Sequence, residues 1–250
     1  MGEQVEAALD YAVIYGWRVI PLHSAENGGC SCREGSDCGS PGKHPRVSGW
    51  TERASTDPEE IAGWWRRWPE ANVGVVTGAA SGIVALDVDP EHGGAATLRR
   101  YGSLPETAQS LTGGGGWHYL FRHPDGEVPN SAGELGPGLD IRGDGGFVVA
   151  PPSVHASGRM YRWIHPPGRQ PLLDPPRWVH ELTSGSRRGA APEVGEMIEQ
   201  DARNVTLASL AGSMRRRGMA EEELLQEHLR KRTERDHERG HDKKWWQVWR

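Results

Sequence analysis

The tightest constraint on this chain is the stretch Ser81-Gly82-Ile83-Val84-Ala85-Leu86-Asp87-Val88-Asp89-Pro90. Four apolar residues in a row, bounded by Gly and Pro, predict a buried strand. Side chains alternate faces along a strand, so Asp87 and Asp89 are expected on one side, with Val88 returned to the core. Neighbouring carboxylates repel unless a cation or a proton lies between them. Pro90 cannot continue a ladder, which puts the pair at a strand edge where a cleft can open. Two readings follow. The pair is a divalent-metal site of Mg²⁺ or Mn²⁺ type with hard oxygen ligands, or it is a strand-end turn, for which aspartate is also favoured.

Two further stretches bear on that choice. Thr112-Gly113-Gly114-Gly115-Gly116-Trp117-His118-Tyr119-Leu120-Phe121 places four glycines before an apolar strand. Such a run lets backbone approach a ligand closely, and its amides can cup an anion. His118 faces the side opposite Tyr119; it is either a donor to a phosphate or developing charge or an inert strand-end histidine. Leu139-Asp140-Ile141-Arg142 puts Asp140 and Arg142 on one strand face. A third carboxylate would complete a metal site, and an arginine beside it suits a triphosphate. Asp144 belongs to the following Gly-rich turn, which returns as another apolar strand.

Cys30-x-Cys32, Cys38 and His44 fall within a loop rich in Gly, Ser and Pro. Three thiolates and one imidazole make a closed tetrahedral zinc set; the alternative is three free thiols and a solvated histidine. A clip of this kind would order the loop over 28–46. Gly42-Lys43-His44 lacks the upstream glycine and following Ser/Thr of an ATP-binding phosphate loop. Lys43 is either a point charge for a phosphate or an ordinary surface lysine.

With 34 Gly, 18 Pro and 36% hydrophobic residues among 250, the chain fits an α+β or α/β domain with long connections better than a helical bundle. No apolar run approaches the roughly 18 residues of a membrane helix, and a cytoplasmic protein is expected. The net charge of -5 does not decide on nucleic acid, because Arg99, Arg100, Arg122, Arg142, Arg159 and Arg162 fall near the motifs and could line a basic groove.

Elsewhere, Val5 to Val13 has helical spacing and ends before Gly16, and Trp17–Leu22 predicts a strand. Asp57-Pro58 starts a helix whose Ile61, Trp64, Trp65 and Trp68 form a core stripe. Val73–Thr77 is expected to join the aspartate strand as a hairpin through Gly78–Gly82. A short helix over 95–101 and an edge strand at Tyr161–Trp163 follow. Residues 166–192 read as a linker. Helices are expected around 207–214 and 220–231, before a charged tail ending in a tryptophan cluster.

Asp87-x-Asp89, the glycine run before His118, and Leu139-Asp140, in this order, resemble the bifunctional primase–polymerase (prim-pol) family of the archaeo-eukaryotic primase superfamily. The likeness runs from about Val5 to Trp163. It takes in the Gly-Lys-x-Pro segment at 42–45, the Asp-Pro-x-x-Ile-x-x-Trp-Trp helix at 57–65 and Gly145-Gly-Phe-Val-Val-Ala-Pro-Pro-Ser153. Arg203-Asn204 and the helices after it resemble the start of the small helical domain found behind this module. The resemblance implies an α+β fold: an RRM-like antiparallel sheet with flanking helices, an α/β subdomain, and a helical C-terminal appendage. It implies a catalytic domain over 1–185 and a partial helical domain with charged tail over 186–250. Asp87, Asp89 and Asp140 would hold two Mg²⁺ or Mn²⁺ ions. His118, with Arg142, Thr112 and Gly115, would bind the nucleotide; the zinc set Cys30, Cys32, Cys38 and His44, read from its own donors, is expected to be structural. The implied activity is template-dependent nucleotidyl transfer from nucleoside triphosphates on single-stranded or primed DNA, with a replicative helicase as a candidate partner. A metal-dependent nuclease or phosphohydrolase, or a silent nucleic-acid-binding module, would use the same features differently.

Overall fold

The structure, a computed structural model, describes residues 2–26, 29–131 and 133–179. The expected domain boundary at 185/186, the expected C-terminal helices and the tryptophan cluster lie outside those residues. In chain order the elements are helix α1 (Glu3–Val13), strands β1 (Val19–Leu22), β2 (Ala25–Glu26) and β3 (Gly29–Cys30), and helices α2 (Trp50–Arg53) and α3 (Pro58–Arg67). Strands β4 (Asn72–Val76) and β5 (Ile83–Val88) come next, then helix α4 (Gly94–Tyr101). Strands β6 (Ala108–Leu111), β7 (Trp117–Arg122), β8 (Leu139–Arg142), β9 (Phe147–Ala150) and β10 (Arg162–His165) follow. A three-stranded sheet runs β1-β4-β9 and a five-stranded sheet β10-β6-β7-β5-β8, with β2 and β3 a separate ribbon. The strand pairings are antiparallel, so the architecture is mixed α+β.

Helix α3 starts where its sequence dictates. The Asp57 carboxylate accepts the Glu59 amide at 2.9 Å, and Pro58 occupies the first turn where no amide is needed. Its Ile61, Trp64 and Trp65 pack with Val5, Ala8, Tyr11 and Ala12 of α1 against Val73 and Val75 of β4. The same core takes Ile83 and Ala85 of β5 and Leu120 of β7. The alternate residues of β5, Val84, Leu86 and Val88, face a second core with Phe121, Leu139 and Ile141. Burying each such aliphatic or phenyl group contributes about 1.5–3 kcal/mol. A one-residue slip would turn both sets to the wrong side, which fixes the register of β5.

The expected β4–β5 hairpin does not form; the chain changes sheet between the two strands. Strand β4 is buried throughout and already has β1 on one edge and β9 on the other, leaving no edge for β5. The turn keeps a single bridge between Gly78 and Ile83. No helix among the described residues is long and apolar enough to cross a membrane.

Candidate active site

Strand β5 lies between β7 and β8, and the register sets His118 opposite Asp87 on one side and Asp140 opposite it on the other. Directly opposed residues share a sheet face, so the three form one row. That face carries Ile83, Ala85 and Leu120 into the core shared with the three-stranded sheet. The row stands where this core gives out towards solvent, with 28% of each carboxylate side chain exposed. Arg142, two residues beyond Asp140, spans the pair: its Nη2 lies 3.5 Å from Asp87 Oδ2 and 3.3 Å from Asp140 Oδ2. The other Asp140 oxygen accepts the Gly133 amide at 2.7 Å.

His118 is buried. Its Nε2 approaches Asp87 Oδ1 to 3.6 Å, while its Nδ1 is buried without a hydrogen-bond partner. Burial drives this imidazole below the ordinary histidine range; Asp87 opposes the shift, and the charges of Arg142 and Lys43 add to it. Burial thus favours the uncharged form of the ring. A buried polar atom left unpaired costs about 1–3 kcal/mol, a penalty that a ligand at Nδ1 would relieve.

Asp89 behaves differently. The strand has ended, and its carboxylate accepts the Glu91 amide at 2.9 Å and pairs with His92 Nδ1 at 2.7 Å. Burial pushes its carboxyl up, but His92 and the Glu91 amide outweigh this and hold it below the usual carboxylate range. Among the described residues, the three aspartates do not bring their oxygens within 4.8 Å of one another. Asp87 and Asp140 are brought together; Asp89 is engaged at the rim.

Thr112 and Gly115 build the tight β6–β7 turn. The Thr112 hydroxyl accepts the Gly116 amide at 2.9 Å, and the two residues are also paired through their backbones. The glycines are there for close approach. A Cβ on Gly113 would lie 2.2 Å from that of His155, and one on Gly116 would lie 2.4 Å from the Val88 carbonyl. The Gly113 carbonyl accepts Arg159 Nε at 2.8 Å and the Ser157 hydroxyl at 3.0 Å. This draws in residues that the sequence does not single out. The Tyr161 ring centre is 6.1 Å from that of His118, and burial, then the Asp87 charge, pushes its phenol well above the usual range. His155 lies 6.2 Å from the same tyrosine ring. Their signal is faint: His155 stands two residues after the Gly145–Ser153 segment, and Tyr161 is marked only as the start of the expected edge strand. Of the six arginines near the motifs, Arg142 and Arg159 reach this site. Arg122 pairs with Asp174 at 2.9 Å, and Arg99 and Arg100 close α4.

Cys30, Cys32, Cys38 and His44 present ligand atoms that all lie within 4.8 Å of one another. His44 Nε2 is 3.3 Å from Cys30 Sγ and 3.5 Å from Cys38 Sγ. A tetrahedral zinc with its usual Zn–S and Zn–N bonds sets such S···N pairs roughly 3.6 Å apart, so the donors fit the ion. The His44 ring stacks on that of His23 at 4.4 Å. Burial, with Arg46 and His44 beside it, pulls His23 down to about 4, which keeps the stacked ring neutral.

The geometry thus comprises an acidic pair with a buried imidazole beside it in one row, a glycine turn packed against a loop bearing His155, and a zinc-type cluster. No curated protein matches the chain. A family model does: the one described as bifunctional DNA primase/polymerase, N-terminal, aligns with residues 8–178. That span covers more than half of the chain and every residue of the row, and the chain belongs to the bifunctional DNA primase/polymerase (Prim-Pol) family.

Proposed function

We propose that this chain is a template-dependent DNA primase/polymerase that transfers nucleotides from nucleoside triphosphates to a primer end or an initiating nucleotide. The observation carrying this is the row His118–Asp87–Asp140, in which two carboxylates share the Arg142 guanidinium and the neighbouring imidazole keeps a buried Nδ1 without a hydrogen-bond partner. Asp87 and Asp140, joined by Asp89 once it leaves His92, would hold two Mg²⁺ or Mn²⁺ ions as hard oxygen donors. Held by these carboxylates, such ions would supply Lewis acidity for the attacking 3′-hydroxyl and charge neutralisation for the leaving pyrophosphate. The protein's own part is positioning. His118 Nδ1 hydrogen-bonds the triphosphate, Arg142 turns from the carboxylates to a phosphate oxygen, and the turn at Thr112 to Gly116 fixes the wall against which the nucleotide lies.

We further assign the catalytic domain to residues 1–185, with an RRM-like arrangement for the five-stranded sheet, and the partial helical domain and tail to 186–250. The Cys30, Cys32, Cys38 and His44 cluster is a structural zinc site. Single-stranded or primed DNA is the template partner, a replicative helicase a candidate associate, and the cytoplasm the compartment. The test is extension of a labelled primer on template DNA with Mg²⁺ or Mn²⁺. Asp87→Ala should abolish product while leaving the circular dichroism spectrum unchanged; shortened primers or free phosphate would instead indicate the nuclease or phosphohydrolase chemistry. Extension surviving in the folded variant would overturn the assignment.

A further inference from the structure

Lys43 is fixed from both sides by unrelated contacts. On one side, Asn72 is 1% exposed and its amide nitrogen donates to the Gly42 carbonyl at 2.9 Å and the Val154 carbonyl at 2.8 Å. Its carbonyl oxygen accepts the Val154 amide at 2.9 Å. Gly42 itself has φ +72°, and a Cβ there would press on Ala25 and on the Asn72 amide, both at 3.0 Å. One buried side chain therefore locks the zinc loop to the loop before His155. On the other side, His44 is held by the cysteine cluster, by stacking on His23, and by the His23 amide donating to its carbonyl at 2.9 Å.

The residues that follow the two clamped positions are Lys43 and His155, so the clamp brings them to the same end of the molecule. The Lys43 side chain is exposed, yet its charge is felt at two imidazoles. It adds to the lowering of His118 after burial and Arg142, and it ranks directly after burial at His155, ahead of Arg159. The other charges acting on those imidazoles are Asp87 and Arg142 at His118, and Arg159 and, in the opposite sense, Glu91 at His155. An ammonium on a flexible stem is suited to a chain of phosphate oxygens, and the unpaired His118 Nδ1 supplies the second contact.

We infer that Lys43 grips the triphosphate of the incoming nucleotide beside His118 and His155, and that the Cys3His cluster and Asn72 are positioning groups that deliver it there. This rests on the nucleotidyl-transfer reading and adds to it a dependence of nucleotide binding on the zinc cluster.

The test is titration calorimetry on the full chain in Mn²⁺, with a nucleoside triphosphate and, separately, inorganic tripolyphosphate. Lys43→Ala should weaken both about tenfold, the worth of one charge-assisted contact, with Lys43→Arg restoring most of it. Affinity for single-stranded DNA should stay unchanged. Stripping zinc, verified by metal analysis, should weaken nucleotide binding by the same factor, and adding Lys43→Ala should then cost nothing more. Should stripping unfold the chain, a Gly-Ser pair inserted between Lys43 and His44 separates them with all four ligands intact; nucleotide affinity should fall at constant zinc content. Wild-type affinity for both phosphate probes in Lys43→Ala overturns the grip, as does a loss confined to DNA. Nucleotide binding indifferent to zinc and to the insertion overturns the positioning. If the unaltered chain binds no nucleotide and extends no primer, it is the nucleotidyl-transfer reading that fails; if it does both while Lys43→Ala is unaffected, only this inference fails.

Discussion

Arg142 is the side chain on which the proposed reading of the site can be tested most directly. Its guanidinium lies between the Asp87 and Asp140 carboxylates, at 3.5 and 3.3 Å, and so occupies the position of positive charge that a divalent ion would claim. The two compete for the same oxygens. Replacing Arg142 by Gln removes the competitor and the group proposed to bind phosphate together, and these have opposite signs. Mn²⁺ affinity, followed by paramagnetic resonance of the free ion, should rise severalfold. Nucleotide affinity should fall about tenfold, the worth of one charge-assisted hydrogen bond. A fall in both would mean that Arg142 organises the carboxylates rather than competing for them. Asp89 illustrates the limit of spacing arguments at this scale. Its place two residues from Asp87 puts both on one face of an ideal strand, but the ladder stops at Val88. The Asp87 partner across the sheet, Asp140, lies 53 positions downstream, where no local spacing rule reaches.

At the scale of elements, β5, β7 and β8 are legible because alternation and Gly or Pro punctuation survive in one dimension. Their neighbours are not. Strand β6, Ala-Gln-Ser-Leu, is too weakly apolar to stand out, although it separates β7 from the edge strand β10. The β4–β5 hairpin fails because edges are assigned by the whole sheet. The resemblance to the prim-pol family rests on the order of motifs and is matched by the family model over 8–178, yet it is silent on Asn72, His155 and Tyr161. The glycines hold a third kind of information, visible only once elements meet. Gly138, at the entry to β8, has φ +67°, and a Cβ there would lie 2.4 Å from the Asp89 carbonyl and 2.5 Å from the Gly94 amide nitrogen. Both are backbone atoms and neither can swing aside. Gly138→Ala combines about 1 kcal/mol of left-handed strain with overpacking of about 1–3 kcal/mol, and calorimetry should show melting lowered by about 5–10 °C. Because the strain falls at the start of the strand bearing Asp140 and Arg142, Mn²⁺ affinity should fall with it. Gly145, at φ +69° with open space around its Cβ position, is the control: Gly145→Ala should cost only the strain, about 1 kcal/mol.

At the scale of the whole described fold, the chain passes between the two sheets at 77–82 and again at 143–146, and these crossings are tied to each other. The Thr77 amide donates to the Gly146 carbonyl at 2.9 Å and its hydroxyl to the Gly143 carbonyl at 2.7 Å. The Asp144 carboxylate closes the junction. One oxygen accepts the Ala79 amide at 2.8 Å; the other accepts the Val128 amide at 2.8 Å and lies 3.2 Å from His123 Nε2. Burial alone would raise this carboxyl, but the Val128 and Ala79 amides, and then His123, outweigh it and hold its pKa below the ordinary 3.8. A carboxyl depressed by folding contributes stability that is fully present above its unfolded pKa and disappears as pH falls through the folded one. The Asp144 contribution to the junction should therefore be present from neutrality down to about pH 4 and disappear below it. Asp144→Asn removes the charge and turns an amide donor towards other donors, so at neutral pH it should lower stability by about 1–2 kcal/mol, measured from urea midpoints at constant m. That difference should stay level from pH 7 to about pH 5 and shrink below about pH 4, where the native carboxyl also becomes neutral. A difference that persisted undiminished at pH 3 would place the loss in packing at the junction rather than in the charge. The two sheets would then be held by their shared apolar core, the Thr77 bonds and the glycine contacts, without a contribution from the Asp144 charge.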